Sequence, residues 1–267
     1  MTPESMKAAK GPDEGRVSPW VLRWRRALEA LSIHGDQAAL LERLEQALHK
    51  DARPAVLAFA NAHAFNLLSQ DPCFADNLAG ADLLLRDGIG VQWLCELLGR
   101  EPGLNLNGTD LIPQMLAHCP GQRIALFGSS IEVVRAAGHR IATEVAAHSE
   151  VVAMEHGFHS KDRYRELAKE CRPTIVILGM GMLKQEDVAL DLRGHLSGPC
   201  LIVCGGAILD FLAGRVSRAP IWMRRYGVEW AYRLALEPRR LFKRYVLGNP
   251  LFLIRAVRYC LSQRRRG

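Results

Sequence analysis

Six short apolar runs, each followed by a segment of helical pattern, constrain this chain more than any other feature. They are Ala55 to Phe59, Asp82 to Arg86, Arg123 to Phe127, Val151 to Met154, Thr174 to Leu178 and Cys200 to Cys204. Runs of four or five residues without polar alternation suit strands covered on both faces, which is the situation in a parallel sheet. Helical spacing over 131–147, 161–171 and 183–196 supplies crossover segments, and 20–33 and 37–49 read as two further helices before the first strand. The pattern predicts an α/β, Rossmann-like fold with a mainly parallel six-stranded sheet flanked by helices. Residues 1–16 read as a loose tail and 17–214 as the α/β domain. Residues 215–267 read as a basic, helical C-terminal appendage.

Charge sets that last segment apart. It carries 14 Arg and Lys against Glu229 and Glu237, whereas the preceding 214 residues hold 21 basic and 26 acidic side chains. A basic block of this kind meets nucleic acid, anionic lipid or a diphosphate. It has no zinc finger or base-stacking motif, so nucleic acid is not the expected partner. Trp222, Tyr226 and Trp230 recur every fourth residue. With Arg233 and Arg240 they predict an amphipathic helix that meets an anionic membrane surface. No run approaches the ~18 apolar residues of a membrane span, and residues 2–16 lack the apolar core of a secretory signal. The seven cysteines are scattered and fit reduced thiols. A cytoplasmic protein, peripheral to the inner face of the cell membrane, is the expectation.

Chemistry-bearing residues gather where predicted strands turn into helices. Asp87-Gly-Ile-Gly90 follows the second strand, at the edge where open parallel sheets bind ligands. There Asp87 reads either as a general base or as a helix cap. Phe127-Gly-Ser-Ser130 leaves the third strand, so Gly128 and Ser129 are candidates for holding a phosphate at a helix N-terminus. The full dinucleotide fingerprint and the Walker lysine spacing are both missing, which argues against a nicotinamide oxidoreductase. Gly179 and Gly181, with Lys184, Gln185 and Glu186, repeat the strand–glycine–helix pattern, which makes Gly179, Gly181 and Lys184 candidates for holding a nucleotide diphosphate, and Asp210 lies one turn into the helix after the sixth strand. His63, His156 and His159 read either as pocket histidines or as structural ones.

Taken in order, Asn61-Ala62, Ala81-Asp82 with Asp87-Gly-Ile-Gly-Val91, Gly108-Thr-Asp-Leu111, Gly179-Met-Gly181 with Lys184-Gln-Glu186, Asp210-Phe-Leu-Ala-Gly214, Arg218-Ala-Pro220 and Gly227 to Arg233 with Glu237-Pro-Arg-Arg240 resemble the WecG/TagA/CpsF family of bacterial glycosyltransferases. The resemblance spans about residues 55–250. It implies inverting transfer of a hexosyl residue from a UDP-sugar to a polyprenyl-diphosphate-linked saccharide, in cell-surface polysaccharide or exopolysaccharide synthesis. It implies Asp87 as the base, Asn61, Thr109, Asp110, Gln185 and Asp210 as substrate contacts, and Arg218 and Arg225 as diphosphate partners. The family lacks the Asp-x-Asp metal site of many glycosyltransferases, and none occurs here, so neither metal nor cofactor is expected. Homo-oligomerisation is compatible with the sequence. Two departures leave the donor sugar open between N-acetylmannosamine, glucose and a uronic acid. Phe59 stands where many relatives have threonine, and Asn105 where many have arginine. A lipid-binding adaptor without turnover is the alternative.

Overall fold

The computed structural model describes residues 17–50 and 53–264, so the tail expected over 1–16 lies outside the described residues. Six strands form one sheet: β1 (Ala55–Ala60), β2 (Leu83–Arg86), β3 (Arg123–Gly128), β4 (Glu150–Glu155), β5 (Ile175–Gly179) and β6 (Leu201–Cys204). All neighbours pair in parallel in the order β2-β1-β6-β5-β3-β4. Each strand differs from its expected bounds by a residue or two, and the expected six-stranded α/β architecture is present.

Period-two alternation sorts each strand's side chains between two cores. Val56, Ala58 and Ala60 of β1, with Val176 and Leu178 of β5, face one side. There α1 (Pro19–Ala30), α3 (Ala62–Leu68), α4 (Pro72–Ala79), α5 (Ile89–Leu97), α8 (Lys161–Cys171) and α9 (Lys184–His195) cover them. Leu57 and Phe59, with Ile175 and Ile177, face the other side, under α2 (Gln37–Lys50), α6 (Gly108–His118), α7 (Ile131–Arg140) and α10 (Ile208–Leu212). Burial on both sides is why these strands read as unbroken apolar runs. The helix expected over 131–147 is α7 followed by a wider π-type turn at Ile141–Val145.

The C-terminal segment departs from expectation. It comprises α11 (Ile221–Arg225), α12 (Glu229–Leu236), α13 (Pro238–Phe242), a π-type turn at Lys243–Leu247 and α14 (Gly248–Arg264). A single helix carrying Trp222, Tyr226 and Trp230 does not form. The chain breaks at Gly227, whose φ of 70° ends α11, and a Cβ there would lie 2.9 Å from Ile89 Cδ1. Nor is α14 an appendage. Phe252, Ala256 and Tyr259 are buried in the core shared with α1 and α3. The Phe252 ring stacks on Trp24 at 5.7 Å between centroids and meets Phe65 edge-on at 6.1 Å. Asn66 of α3 donates to the Gly248 carbonyl at 2.7 Å and accepts from Arg255 at 2.9 Å. The boundary expected at residue 215 therefore divides the sequence but not the core.

Because Phe252 fills the space between α1, α3 and α5, Phe252→Ala should lower the unfolding free energy by about 3 to 5 kcal/mol. Urea unfolding measures this; a loss below about 1 kcal/mol would show that α14 is only loosely docked.

Candidate active site

Every strand ends at the same edge of the sheet, and two clefts of about 640 and 730 Å³ open there. Asn61, Asp87, Thr109, Arg233 and Arg244 line both. Asp87 thus sits where the clefts meet.

Local hydrogen bonding fixes that position. Asn61 follows β1 and caps α3, its Oδ1 accepting from Ala64 N at 3.1 Å, which leaves Nδ2 to donate to Asp87 Oδ2 at 3.1 Å. The Asp87 amide donates to the Ala60 carbonyl at 2.9 Å. Gly88, not Asp87, is the N-cap of α5, and no side chain caps that helix. Of the two readings of Asp87, the cap finds no support in the geometry. Buried Arg86 donates to the carbonyls of Pro102 and Gly103 at 2.9 and 2.8 Å and so pins the following loop. Asn105 of that loop then accepts from Gly88 N at 2.7 Å. The residue at this departure therefore braces the turn that carries Asp87. At the other departure, Phe59 lines the first cleft and packs against Gly108.

The first cleft is walled by the ends of β3, β5 and β6. Gly128 lies so close to Gly179 that a Cβ would come within 2.4 Å of its carbonyl carbon, so only glycine fits. Ser129 donates its amide to the Gly179 carbonyl and its hydroxyl to Asp210 Oδ1, at 3.0 and 3.2 Å. Ser129, Gly179, Gly181, Gln185 and Asp210 all line this cleft. Gln185 is buried; its Nε2 donates to Glu186 Oε1 at 2.8 Å and its Oε1 accepts from Gly206 N at 3.0 Å. Lys184 lines neither cleft. Its ammonium donates to the carbonyls of Gly157 and His159 at 2.9 and 3.0 Å, which corrects its assignment to a phosphate. With Tyr164, whose hydroxyl donates to the His156 carbonyl at 2.9 Å, it braces the loop after β4. That loop presents Phe158, 78 % exposed, at the mouth of the first cleft.

The cations are distributed differently from expectation. Arg233 and Arg240, read as membrane contacts, both line the first cleft, and Arg244 joins them. Arg240 pairs with Glu237, while the Nε atoms of Arg233 and Arg244 are buried without a hydrogen-bond partner. Burial pushes the Arg244 guanidinium below its ordinary pKa, yet arginine remains a cation in proteins. Arg218 is held by Asp110 and by Glu229, the latter at 2.7 Å, and Arg224 approaches Asp110 at 3.4 Å. Asp110 lines neither cleft, so it ties α6 to α11 rather than presenting its carboxylate there. Arg225 is exposed and away from both clefts; its neighbour Arg224 lines the second. Arg244 carries no motif or spacing that sets it apart among the 14 cations of its segment, so the sequence does not single it out. Nor does it single out Phe158, because an isolated aromatic carries no spacing signal.

The second cleft is more apolar, lined by Ile89, Trp93, Trp230, Leu234, Tyr245 and Leu253 among others. His63 also lines it. Burial, then the Arg244 charge, lowers its pKa to about 4, so its imidazole is neutral near pH 7. Among the described residues, Glu155, His156 and His159 form one cluster with the composition to hold a metal ion. The His156 Nδ1 accepts from Phe158 N at 3.2 Å, and the two imidazoles stack face to face at 4.1 Å. In the neutral ring this places the proton on His156 Nε2, toward Glu155. Hydrogen bonding within the loop is the role this geometry favours.

The model of the glycosyl transferase WecG/TagA/CpsF family matches residues 27–266. The chain belongs to this family. Among its relatives is an N-acetylglucosaminyldiphosphoundecaprenol N-acetyl-beta-D-mannosaminyltransferase of Bacillus subtilis (strain 168). It is 26 % identical over 215 residues, covering 78 % of this chain and 82 % of the relative. A protein of the same name from Staphylococcus aureus (strain NCTC 8325) is 23 % identical over 239 residues, covering 86 % and 92 %. Membership in the family makes this protein a glycosyltransferase, and the clefts around Asp87 are its candidate active site.

Glu186, beside Gln185, is buried with Oε2 unpartnered, and desolvation raises its pKa from 4.5 to about 7. A folded pKa above the unfolded one means that the native state holds the extra proton between those values. Stability is then fully present below about pH 4.5 and lost as pH rises through 7. Glu186→Gln cannot titrate, so it should gain on wild type between about pH 5 and 8, by at most on the order of 3 kcal/mol. Thermal unfolding at both pH values checks this; parallel pH dependence in the two proteins would defeat it.

Proposed function

We propose that the protein transfers a hexosyl residue, with inversion, from a UDP-sugar to a saccharide carried on a polyprenyl diphosphate. The single observation supporting this most strongly is the position of Asp87 at the junction of a polar, arginine-walled cleft and an apolar one. The polar cleft suits the nucleotide-sugar. Arg233, Arg240 and Arg244 can neutralise its diphosphate, and guanidinium forks match phosphate oxygens in geometry as well as charge. The apolar cleft suits the lipid-linked acceptor, and the relatives are named for transfer to such an acceptor.

In this reading Asp87 takes the proton from an acceptor hydroxyl as that oxygen attacks the anomeric carbon of the donor sugar. The bond from that carbon to the diphosphate breaks on the opposite face, and UDP leaves with the electron pair. Asn61 holds one carboxylate oxygen of Asp87 and so keeps the other free for the hydroxyl. The arginines stabilise charge that grows on the diphosphate as the bond breaks, the moment at which stabilisation accelerates reaction. N-acetylmannosamine, the sugar in the relatives' names, is the first donor to test, followed by glucose and a uronic acid. Cell-surface polysaccharide or exopolysaccharide synthesis is the proposed setting.

Among the described residues no helix is long and apolar enough to cross a membrane. We place the enzyme at the cytoplasmic membrane face through Trp222 and Tyr226, which are 60 % and 71 % exposed, and the neighbouring exposed cation Arg225. Trp230 lines the second cleft and packs near Tyr245, so its place is with the acceptor.

Asp87→Asn keeps size and removes basicity. The kcat for transfer to a diphosphate-linked acceptor should fall about a hundredfold or more, while UDP binding by calorimetry changes only a few-fold. Near-normal turnover in the folded variant would reject Asp87 as the base. With arginines in the charge-neutralising role, transfer should persist after exhaustive chelation. If chelation abolished activity and magnesium or manganese restored it, the metal-free mechanism would be wrong.

A further inference from the structure

The second cleft, at about 730 Å³, has the size that encloses a drug-sized ligand, and a long polyprenyl chain cannot be held inside it. If the acceptor's diphosphate and sugar reach Asp87, the rest of the lipid must leave across the protein surface. Trp93 of α5 and Leu253 of α14 line the cleft and are both exposed, so they stand where it opens to solvent. These helices pack against each other. Near their starts, a Cβ on Gly90 would lie 3.2 Å from the Phe252 ring.

Each helix continues the mouth outward at helical spacing. On α5 the next residue on the same face after Trp93 is Leu97; on α14 the residues after Leu253 are Val257 and Leu261. Leu97 and Val257 are 51 % and 52 % exposed, and Leu261 is similarly open. The buried neighbours Phe252, Ala256 and Tyr259 hold α14 in place, so its outward row is fixed on the packed helix.

We infer that this two-helix strip is a track for the polyprenyl chain of the acceptor, leading from the second cleft toward the membrane. The inference rests on the reading of that cleft as the acceptor's. Continuity with the cleft mouth is what selects the lipid over other apolar occupants. A track of this kind makes chain length a determinant of acceptor binding, through residues that touch neither the sugar nor the diphosphate.

The test is steady-state transfer, in detergent, to one diphosphate-linked saccharide carrying either an undecaprenyl or a decyl chain. Leu97→Ser/Val257→Ser alters only exposed positions. It should raise KM for the long-chain acceptor about tenfold and leave kcat, the donor KM and the decyl acceptor's KM unchanged. Trp222→Ser/Tyr226→Ser serves as the comparator. It should weaken binding to phosphatidylethanolamine–phosphatidylglycerol vesicles without this chain-length effect in detergent. Equal losses on both acceptors, or no loss on either, would overturn the track. So would a loss of vesicle binding by the Leu97/Val257 variant with an unchanged long-chain KM, since that marks membrane contact alone. A rise in donor KM, and in nothing else, for Trp93→Ser would instead reject the cleft reading itself.

Discussion

Parallel pairing forces every strand in this sheet to deliver its carboxyl end to the same edge. That constraint brings Asn61, Asp87, Ser129, Gly179 and Gly206 together from positions spread over 145 residues of sequence. Left-handed backbone at the site falls mainly on glycines, Gly88, Gly181 and Gly206 among them, and Ser129 is a cleft-lining residue that adopts it with a side chain. The floor of the site is rigid because it is an extension of the sheet. The walls come from loops that are individually braced: Arg86 holds the loop of Asn105, and Lys184 and Tyr164 hold the loop of Phe158.

The electrostatic design follows the same division. The sheet edge contributes the carboxylates Asp87 and Asp210, whereas Arg233, Arg240 and Arg244 come from the C-terminal segment. The buried Nε atoms of Arg233 and Arg244 are costly without partners, because a buried donor left unsatisfied keeps its desolvation penalty. A diphosphate would supply the missing acceptors. In the proposed function the charge asymmetry of the sequence serves the diphosphate of the donor as well as the membrane.

Strand positions and the strand-to-helix turns were legible because burial on both faces leaves short, continuous apolar runs, and because glycine recurs where each run ends. Asp87 could be singled out on that basis. The C-terminal segment was not legible in the same way. Its amphipathic spacing is real, but Gly227 breaks the helix, and period alone cannot tell whether an apolar row faces lipid or protein. Phe252 and Ile254 are two residues apart in one helix; the first is buried and the second half exposed. Lys184 misled for a simpler reason. A lysine after a glycine-rich turn suggests a phosphate, but backbone carbonyls of the β4 loop accept all the hydrogen bonds it makes here.

The stacking of Phe252 on Trp24 also has a consequence for the order of assembly. These rings are separated by 228 positions in sequence, close to the largest loop the chain can close. During synthesis α1 emerges early, but the aromatic partner that completes its burial arrives only after the whole sheet has been made. Until then Trp24 and Phe65 leave an apolar gap, and the arginines that precede α14 have no fixed anchor. Such long-range contacts are late and slow to form. The nascent protein can therefore lay down its sheet without forming a working site, and the competence to transfer a sugar is withheld until residue 252 is in place.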